Sequence, residues 1–268
     1  MKKKYLVLLL FASLMACSTS SDSYSSPPVS EEIDTTDGTD GTDNEEEDDN
    51  SNNNNTQVQT IKILSLGDSY TIGQGVCETC KFPEQLKDSL NDNLDNTTYE
   101  LTVIAQTGWT TTSLIDAVES IDPPNDFDLV TLLIGVNNQF TNRPFELYES
   151  EFANLVNKAI SYGTYNPANV IVVSIPDYAF TPFGQNFGNP IETTAEIEQY
   201  NDFAEAYCAE NGISYVYITD ITQQGLDNPA LVASDGLHPS ELAYSLFVER
   251  LLPVAVEKLD WIQLFSYI

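Results

Sequence analysis

The residues that could do chemistry are a serine early in the chain and a histidine near its end. Ser69 follows an apolar run in the turn Gly67-Asp68-Ser69, and His238, the only histidine, follows Asp235 by three residues. A serine hydroxyl is a weak nucleophile at neutral pH, so an imidazole must take its proton, and a carboxylate on the other ring nitrogen fixes the tautomer. These residue types predict attack on a carbonyl carbon, with Ser69 as nucleophile, His238 as base and Asp235 as its partner.

Each of these features also has a plainer explanation. Asp and Ser are frequent in turns because their side chains hydrogen-bond the local backbone, and we interpret Asp68 as stabilising the turn rather than as an acid catalyst. A lone histidine is more often structural than catalytic. Asp177 and Asp220 also follow predicted strands and are alternatives to Asp235, although neither is so close in sequence to His238.

Strands and helices alternate along the chain. Apolar runs predict strands at 61–66, 99–105, 129–134, 169–175 and 215–218, and apolar periodicity predicts helices at about 82–94, 114–121, 145–162, 192–211 and 239–259. The segment 178–190, rich in Gly, Pro and Phe, predicts a long loop over the crevice at the strand ends. Such alternation favours a parallel sheet covered on both faces through right-handed crossovers.

Four motifs at the predicted strand ends carry a family resemblance. They are Gly67-Asp68-Ser69, Gly108, Gly135-Val136-Asn137 and Asp235-Gly236-Leu237-His238. In this order, over residues 61–240, they resemble the successive blocks of the SGNH/GDSL hydrolases, a family of esterases and lipases. The resemblance implies a three-layer α/β/α sandwich with a five-stranded parallel sheet, the flavodoxin-like SGNH hydrolase fold. It also implies hydrolysis of carboxylic esters through an acyl-enzyme intermediate, without a metal or another cofactor.

The resemblance further implies an oxyanion hole made of the backbone N–H groups of Ser69 and Gly108 and the side-chain amide of Asn137. The third block departs from the usual Gly-x-Asn-Asp of the family, because Asn138 stands in the fourth place. We expect this change to alter the support of the neighbouring loop without loss of activity. Arg143 could reach a carboxylate of the substrate or clamp the loop, and we favour the clamp.

Aromatic residues near the predicted crevice are candidates for an acyl pocket, although packing explains aromatics of this frequency equally well. They are Phe180, Phe183, Phe187 and Trp109.

The cysteines suggest structure more than chemistry. Cys77 and Cys80 have the spacing of a redox motif or of half a zinc site, but a second Cys pair and further histidines are missing from the sequence. In an oxidising compartment we expect a disulfide between them, beside Ser69. Cys208 lies on the apolar face of a predicted helix, which is typical of a buried thiol.

The first sixty residues differ in composition from the rest. Lys2-Lys3-Lys4 and a short apolar core predict a secretory signal over 1–16. The signal ends in the tetrapeptide Leu14-Met15-Ala16-Cys17, which resembles the bacterial lipobox and so implies a lipid on Cys17. The alternative is an ordinary signal with a chance cysteine. Residues 17–60 predict a disordered acidic tether, and 61–268 the hydrolase domain. We therefore expect a lipid-anchored protein of the cell envelope at the outer membrane, either periplasmic or surface-exposed.

The excess of acidic residues restricts the kinds of molecule that the protein can bind. With 41 acidic and 10 basic residues the formal net charge is −31, which disfavours nucleic-acid binding. We expect the substrate to be a small-molecule or glycan ester, for example an acylated carbohydrate or a lipid. Membrane contact is expected through the lipid anchor on Cys17. The sequence does not predict the oligomeric state. The rival hypothesis is a catalytically impaired surface lipoprotein that binds glycans. A phosphatase or phosphodiesterase is disfavoured by the lack of metal-ligand histidines.

Overall fold

Five parallel strands form one sheet in the computed structural model, which describes residues 59–93 and 97–265, with side chains as far as residue 260. The strands are β1 (Gln59–Gly67), β2 (Thr97–Ala105), β3 (Leu129–Leu133), β4 (Val170–Val173) and β5 (Ser214–Val216). Their order across the sheet is β2-β1-β3-β4-β5, and every neighbouring pair is parallel. The predicted five-stranded parallel sheet is confirmed.

The α-helices connect the strands and complete the fold. They are α1 (Ser69–Ile72), α2 (Phe82–Asn93), α3 (Thr111–Ile121), α4 (Val136–Phe140), α5 (Phe145–Tyr162), α6 (Pro182–Asn186), α7 (Pro190–Asn211), α8 (Thr219–Thr222) and α9 (Glu241–Phe265). None of the helices in this part of the chain is long and apolar enough to cross a membrane.

Helices cover both faces of the sheet and so form the predicted three layers. Helices α2 and α9 pack together on one face, while α3, α5 and α7 pack on the other. Every residue of β3 and β4 is buried, as expected for central strands that are covered on both sides. The strands therefore form a rigid base whose carboxyl ends meet at one edge.

β1 lies between β2 and β3, so successive strands are added first on one side of β1 and then on the other. In an open α/β sheet, ligands bind in the crevice at the carboxyl ends of the strands, at such a switch point. Gly67, the last residue of β1, is in register with Ala105 of β2 and Leu133 of β3. The turns that follow these three residues therefore start side by side.

The expectation of a long loop at 178–190 is wrong in one respect. The segment contains a 3₁₀ turn at Tyr178–Phe180 and the short helix α6. Asp177 caps the first through the N–H of Ala179, and Thr181 caps α6 through the N–H of Gly184. Capping side chains stabilise these single turns, which are too short to show an apolar period.

Several predictions concern the beginning of the chain. The signal over 1–16, the lipid on Cys17 and nearly all of the tether over 17–60 lie outside the described residues. The described chain opens within β1 at Gln59, slightly before the predicted domain boundary at 61, and the Thr60 hydroxyl pairs there with that of Thr98 on β2 at 3.1 Å.

Candidate active site

Ser69 lies at the point where β1 turns into α1. Its side chain is buried in a cavity wall at 4% exposure. Gly67 permits this turn by its size, because a Cβ at that position would lie 2.1 Å from Thr71 Oγ1 and 2.5 Å from the carbonyl oxygen of Leu133. Asp68 caps α1 by accepting the N–H of Tyr70 at 3.0 Å, as interpreted from the sequence.

His238 and Asp235 form a hydrogen-bonded pair. The Nδ1–H of His238 donates to Asp235 Oδ2 at 2.7 Å, with the tautomer assigned from this contact. The backbone N–H groups of Leu237 and His238 donate to Asp235 Oδ1 at 2.9 and 3.0 Å. Burial opposes the charge of Asp235, but these hydrogen bonds together hold its pKa below the ordinary value. The pair fixes the imidazole and leaves Nε2 for another partner.

The hydroxyl of Ser69 and the imidazole of His238 line the same cavity without a direct hydrogen bond. Within the described residues, Ser69 Oγ has no hydrogen-bond partner at all. In structures without substrate such contacts are often long and tighten only in the substrate complex. The arrangement therefore brings the nucleophile and base candidates to one space without setting the final geometry.

Gly108 is an exposed turn residue with open space beside its Cα. Its φ is +84°, a left-handed conformation that side chains disfavour, and a Cβ there would meet nothing within 4 Å. Its N–H donates to no acceptor in the part of the chain that the structure describes. The neighbouring carbonyl of Trp109 accepts from Asn137 Nδ2 at 3.0 Å. The amide of Asn137 thus lies directly beside the Gly108 turn.

The contacts of Asn138 show what this residue does in the place where the family usually has Asp. It is fully buried, its Oδ1 accepts the N–H of Thr111 at 2.9 Å and its Nδ2 donates to Thr111 Oγ1 at 2.6 Å. The Thr111 hydroxyl in turn donates to Glu151. The uncharged amide of Asn138 therefore ties α4 to the start of α3, just after the Gly108 turn.

Asp68 is the most perturbed carboxyl beside the site. Burial raises its pKa to about 7, although the N–H of Tyr70 and the amide of Asn137 lower it. Asn137 Nδ2 is 3.4 Å from Asp68 Oδ2, so the same amide contacts both Trp109 and Asp68. These two acceptors hold Asn137 between the turns that follow β1 and β2.

The cavity beside Ser69 is small. Its volume is about 60 Å³, and Ser69, Tyr70, Val136, Asn137, Phe140, Tyr178, Leu237 and His238 line it. Apart from the three polar candidates and the two phenol oxygens, its walls are hydrocarbon. The arrangement can hold a short apolar group next to a nucleophile, a base and amide donors.

The sequence analysis missed Phe140 as the aromatic wall of this cavity. The predicted candidates lie elsewhere: Phe187 stacks on Phe140 and Phe183 makes a tilted contact with it, Phe180 lines a separate surface groove, and Trp109 packs against the core. The signal was available, because Phe140 follows Asn137 by three residues, and such residues lie on the same face of a helix.

Residues 73–81, which we name the cysteine loop, contact three parts of the site. Cys77 and Cys80 form a disulfide, and Cys208 is a buried free thiol. The N–H of Gln74 donates to the carbonyl of Ser69 at 3.0 Å, while its side chain accepts from Thr107 at 2.8 Å. A Cβ on Gly75 would lie 3.0 Å from Asp235 Oδ2.

The other charged candidates have different surroundings. Asp177 accepts from the N–H of Ala179 and the amide of Gln223, and Asp220 forms an ion pair with Arg250. Neither carboxylate bonds to His238. Arg143 is exposed, and its side chain makes no ion pair with a described residue, so the expected clamp is not formed there.

Comparisons with known proteins identify the family and the fold. The family model described as GDSL-like Lipase/Acylhydrolase matches residues 65–246. A search of curated protein sequences gave no match.

Solved structures with the same fold include three bacterial proteins. A lipolytic protein of the G-D-S-L family from Veillonella parvula has a TM-score of 0.55 at 19% identity, over 72% of this chain and 97% of that chain. A lipase/acylhydrolase from Enterococcus faecalis has a TM-score of 0.56 at 18% identity, over 72% and 94%. An acetyl xylan esterase from Geobacillus stearothermophilus has a TM-score of 0.55 at 16% identity, over 75% and 96%.

Proposed function

The chain belongs to the GDSL-like lipase/acylhydrolase family and is a carboxylic ester hydrolase, and we propose that it works as a serine esterase through an acyl-enzyme intermediate. In this proposal Ser69 is the nucleophile, His238 the general base and acid, and Asp235 the residue that orients His238. The N–H groups of Ser69 and Gly108 stabilise the oxyanion, together with the amide of Asn137 when it exchanges its long 3.4 Å contact with Asp68 for the oxyanion.

The proposed reaction has two halves. Ser69 Oγ attacks the ester carbonyl carbon while His238 Nε2 takes the hydroxyl proton, and the tetrahedral intermediate expels the alcohol, which receives that proton. Water then attacks the acyl group on Ser69 and gives a proton to His238. Collapse of the second intermediate releases the carboxylic acid and returns the proton to Ser69.

One observation carries this proposal above the others: the imidazole that is bonded to Asp235 at 2.7 Å lines the same cavity as Ser69 and Asn137. These side chains come from three separate segments, after β1, after β3 and just before α9, and a protein that only bound a ligand would not need this combination. The open space beside the exposed Gly108 supports a substrate whose alcohol portion extends into solvent, as in an acylated carbohydrate or a lipid.

Substitution of the nucleophile tests the proposal. We expect Ser69→Ala to lose hydrolysis of p-nitrophenyl acetate and to lose covalent labelling by a fluorophosphonate, because Ser69 carries the only aliphatic hydroxyl among the residues that line the cavity with His238. Ser245→Ala is the matched control, since that hydroxyl only donates to the carbonyl of Leu242 within α9. Full turnover in Ser69→Ala, with the control also active, would contradict the proposed nucleophile.

We propose in addition that a lipid on Cys17 anchors the enzyme in the cell envelope. The lipobox-like tetrapeptide ending at Cys17 and the long acidic stretch before β1 support this proposal. The full chain produced in a bacterial host should sediment with membranes and incorporate labelled palmitate, whereas Cys17→Ser should do neither. Palmitate incorporation by Cys17→Ser would contradict the assigned anchor.

A further inference from the structure

We infer that this enzyme removes short acyl groups, acetyl or propionyl, and that Phe140 sets the limit. The inference rests on the proposed acyl-enzyme function, because it concerns which group can lie beside Ser69. Three features of the described structure carry it: the size of the cavity, the narrow void that adjoins it and the aromatic contacts of the Phe140 ring.

The first feature is the volume of the cavity next to Ser69, about 60 Å³. An apolar cavity of about 150 Å³ holds one benzene ring, so a cavity of this size holds about two or three non-hydrogen atoms. An acetyl or propionyl group places one or two carbons beyond its carbonyl carbon. Butanoyl and longer chains exceed the volume of this cavity.

The second feature is the narrow void that adjoins the cavity. Its volume is only about 10 Å³, and Tyr70, Tyr178, Leu237 and His238 line both the cavity and this void. A void of that size holds one water at most. The acyl chain cannot extend in this direction without displacing the walls.

Tyr178 is a fixed part of that wall. It is 3% exposed, its hydroxyl donates to Gln139 Oε1 at 2.9 Å, and Gln139 Nε2 donates to Glu196 at 2.7 Å. Two hydrogen bonds in series therefore connect the phenol to α4 and α7. The wall is anchored from two elements and does not depend on packing alone.

The third feature is the position of Phe140 on the outer side of the cavity. Its ring stacks on Phe187 at 4.8 Å and lies 6.2 Å from Phe183 and 5.7 Å from Tyr178 between ring centroids. Such aromatic contacts favour a defined ring geometry. Rotation of Phe140 away from Ser69 would break them, so this ring closes the side of the cavity that faces α6.

The acyl side of the ester is the one that fits this cavity. The acyl group stays bonded to Ser69 while the alcohol departs, so the alcohol needs an open path and the acyl group does not. Open space lies at Gly108, whereas the small cavity has hydrocarbon walls from Val136, Phe140 and Leu237. Hydrocarbon walls suit a methyl or ethyl group rather than the hydroxyls of a sugar.

A chain-length series on the wild-type protein is the direct test. We expect kcat/KM for p-nitrophenyl esters to be highest for acetate or propionate and to fall about tenfold or more per added carbon from butanoate onward. Octanoate should be hydrolysed least of all. This measurement needs no variant and therefore does not depend on whether a substitution folds.

Two variants assign the limit to Phe140. Phe140→Ala should raise the ratio of octanoate to acetate hydrolysis by about tenfold or more, because it opens the cavity toward α6. Phe180→Ala is the matched control, since Phe180 lines a separate groove, and it should keep the wild-type profile. Phe140→Leu retains most of the bulk and should stay close to wild type.

The outcomes separate this inference from the proposed function. Equal kcat/KM for acetate and octanoate in the wild type, or an unchanged profile in a folded Phe140→Ala, would overturn the short-acyl inference alone. Absence of hydrolysis for every ester would overturn the proposed function and this inference together. A steep fall with chain length that Phe140→Ala removes and Phe180→Ala keeps would support both.

Discussion

The carboxylate of Asp235 makes three hydrogen bonds, and two of them go to the imidazole and the N–H of His238. Asp235→Asn should lower kcat about a thousandfold, because an amide no longer holds the Nδ1–H tautomer, while KM should change little since Asp235 does not line the cavity. Steady-state kinetics on p-nitrophenyl acetate would measure both constants. Asp220→Asn, which only breaks an ion pair with Arg250, should keep normal kcat, and the opposite ranking would mean that Asp235 does not orient His238.

The buried carboxyl of Asp68 makes the stability of the protein depend on pH. Burial raises its pKa to about 7 in the folded protein, against about 4 in an unfolded chain. Between these values the folded state keeps a proton that the unfolded state has lost, so the free energy of unfolding falls as the pH rises from about 4 to about 7 and then levels off. The shift corresponds to at most about 4 kcal/mol.

Asp68→Asn removes this titration. Urea unfolding at a series of pH values should show a smaller decline in the free energy of unfolding between about pH 4 and about pH 7 in Asp68→Asn than in the wild type. The exposed Asp202→Asn should keep the wild-type slope. Parallel curves for Asp68→Asn and the wild type would show that Asp68 titrates normally.

Among the helices, α3 and α4 are joined by the contact of Asn138 with Thr111. Asn138→Asp restores the usual residue of the family but loses the donor to Thr111 Oγ1 and adds a buried charge near Glu151, so we expect a loss of about 1–3 kcal/mol in the free energy of unfolding. Urea denaturation at neutral pH would measure it. Glu151→Gln added to Asn138→Asp should recover part of the loss, and a more stable single variant would contradict the expected role of the amide.

Helices and strands were predictable where one period runs long enough. The continuous apolar runs of β3 and β4 predicted buried strands, and the residues Phe82, Leu86 and Leu90 predicted α2. The single turns at 178–186 were not predictable from a period, because capping by Asp177 and Thr181 stabilises them.

The sequence predicted which residues could form the site, but it did not predict the shape of the cavity. The motifs named Ser69, Asn137 and His238, but the cavity wall of Phe140 and Tyr178 depends on contacts between distant segments. Tyr178 reaches Gln139 across 39 residues of sequence, and Gln139 reaches Glu196 across 57. Local sequence patterns cannot predict such contacts between distant residues.

The whole molecule carries a large negative charge, formally −31. Every described Lys and Arg side chain except Arg143 already contacts a carboxylate or a carbonyl, so the remaining acidic groups mainly repel one another. Raising NaCl from about 0.02 M to about 0.5 M should increase the melting temperature, because salt screens this repulsion more than it weakens exposed ion pairs. Sucrose of equal osmolality controls for general solute effects, and a lower melting temperature in salt would contradict the expectation.

The cysteine loop has a practical consequence for how the enzyme is produced. A host cytosol keeps thiols reduced, and losing a crosslink that closes so short a ring costs about 2 kcal/mol in the chain-entropy model. Because Gly75 of that loop lies against Asp235, preparations without the crosslink should show a lower kcat as well as a lower melting temperature. Dithiothreitol should convert the crosslinked enzyme to this weaker form and leave a Cys77→Ala/Cys80→Ala variant unchanged. Activities measured after expression in a cytosol would therefore understate the activity of the crosslinked protein.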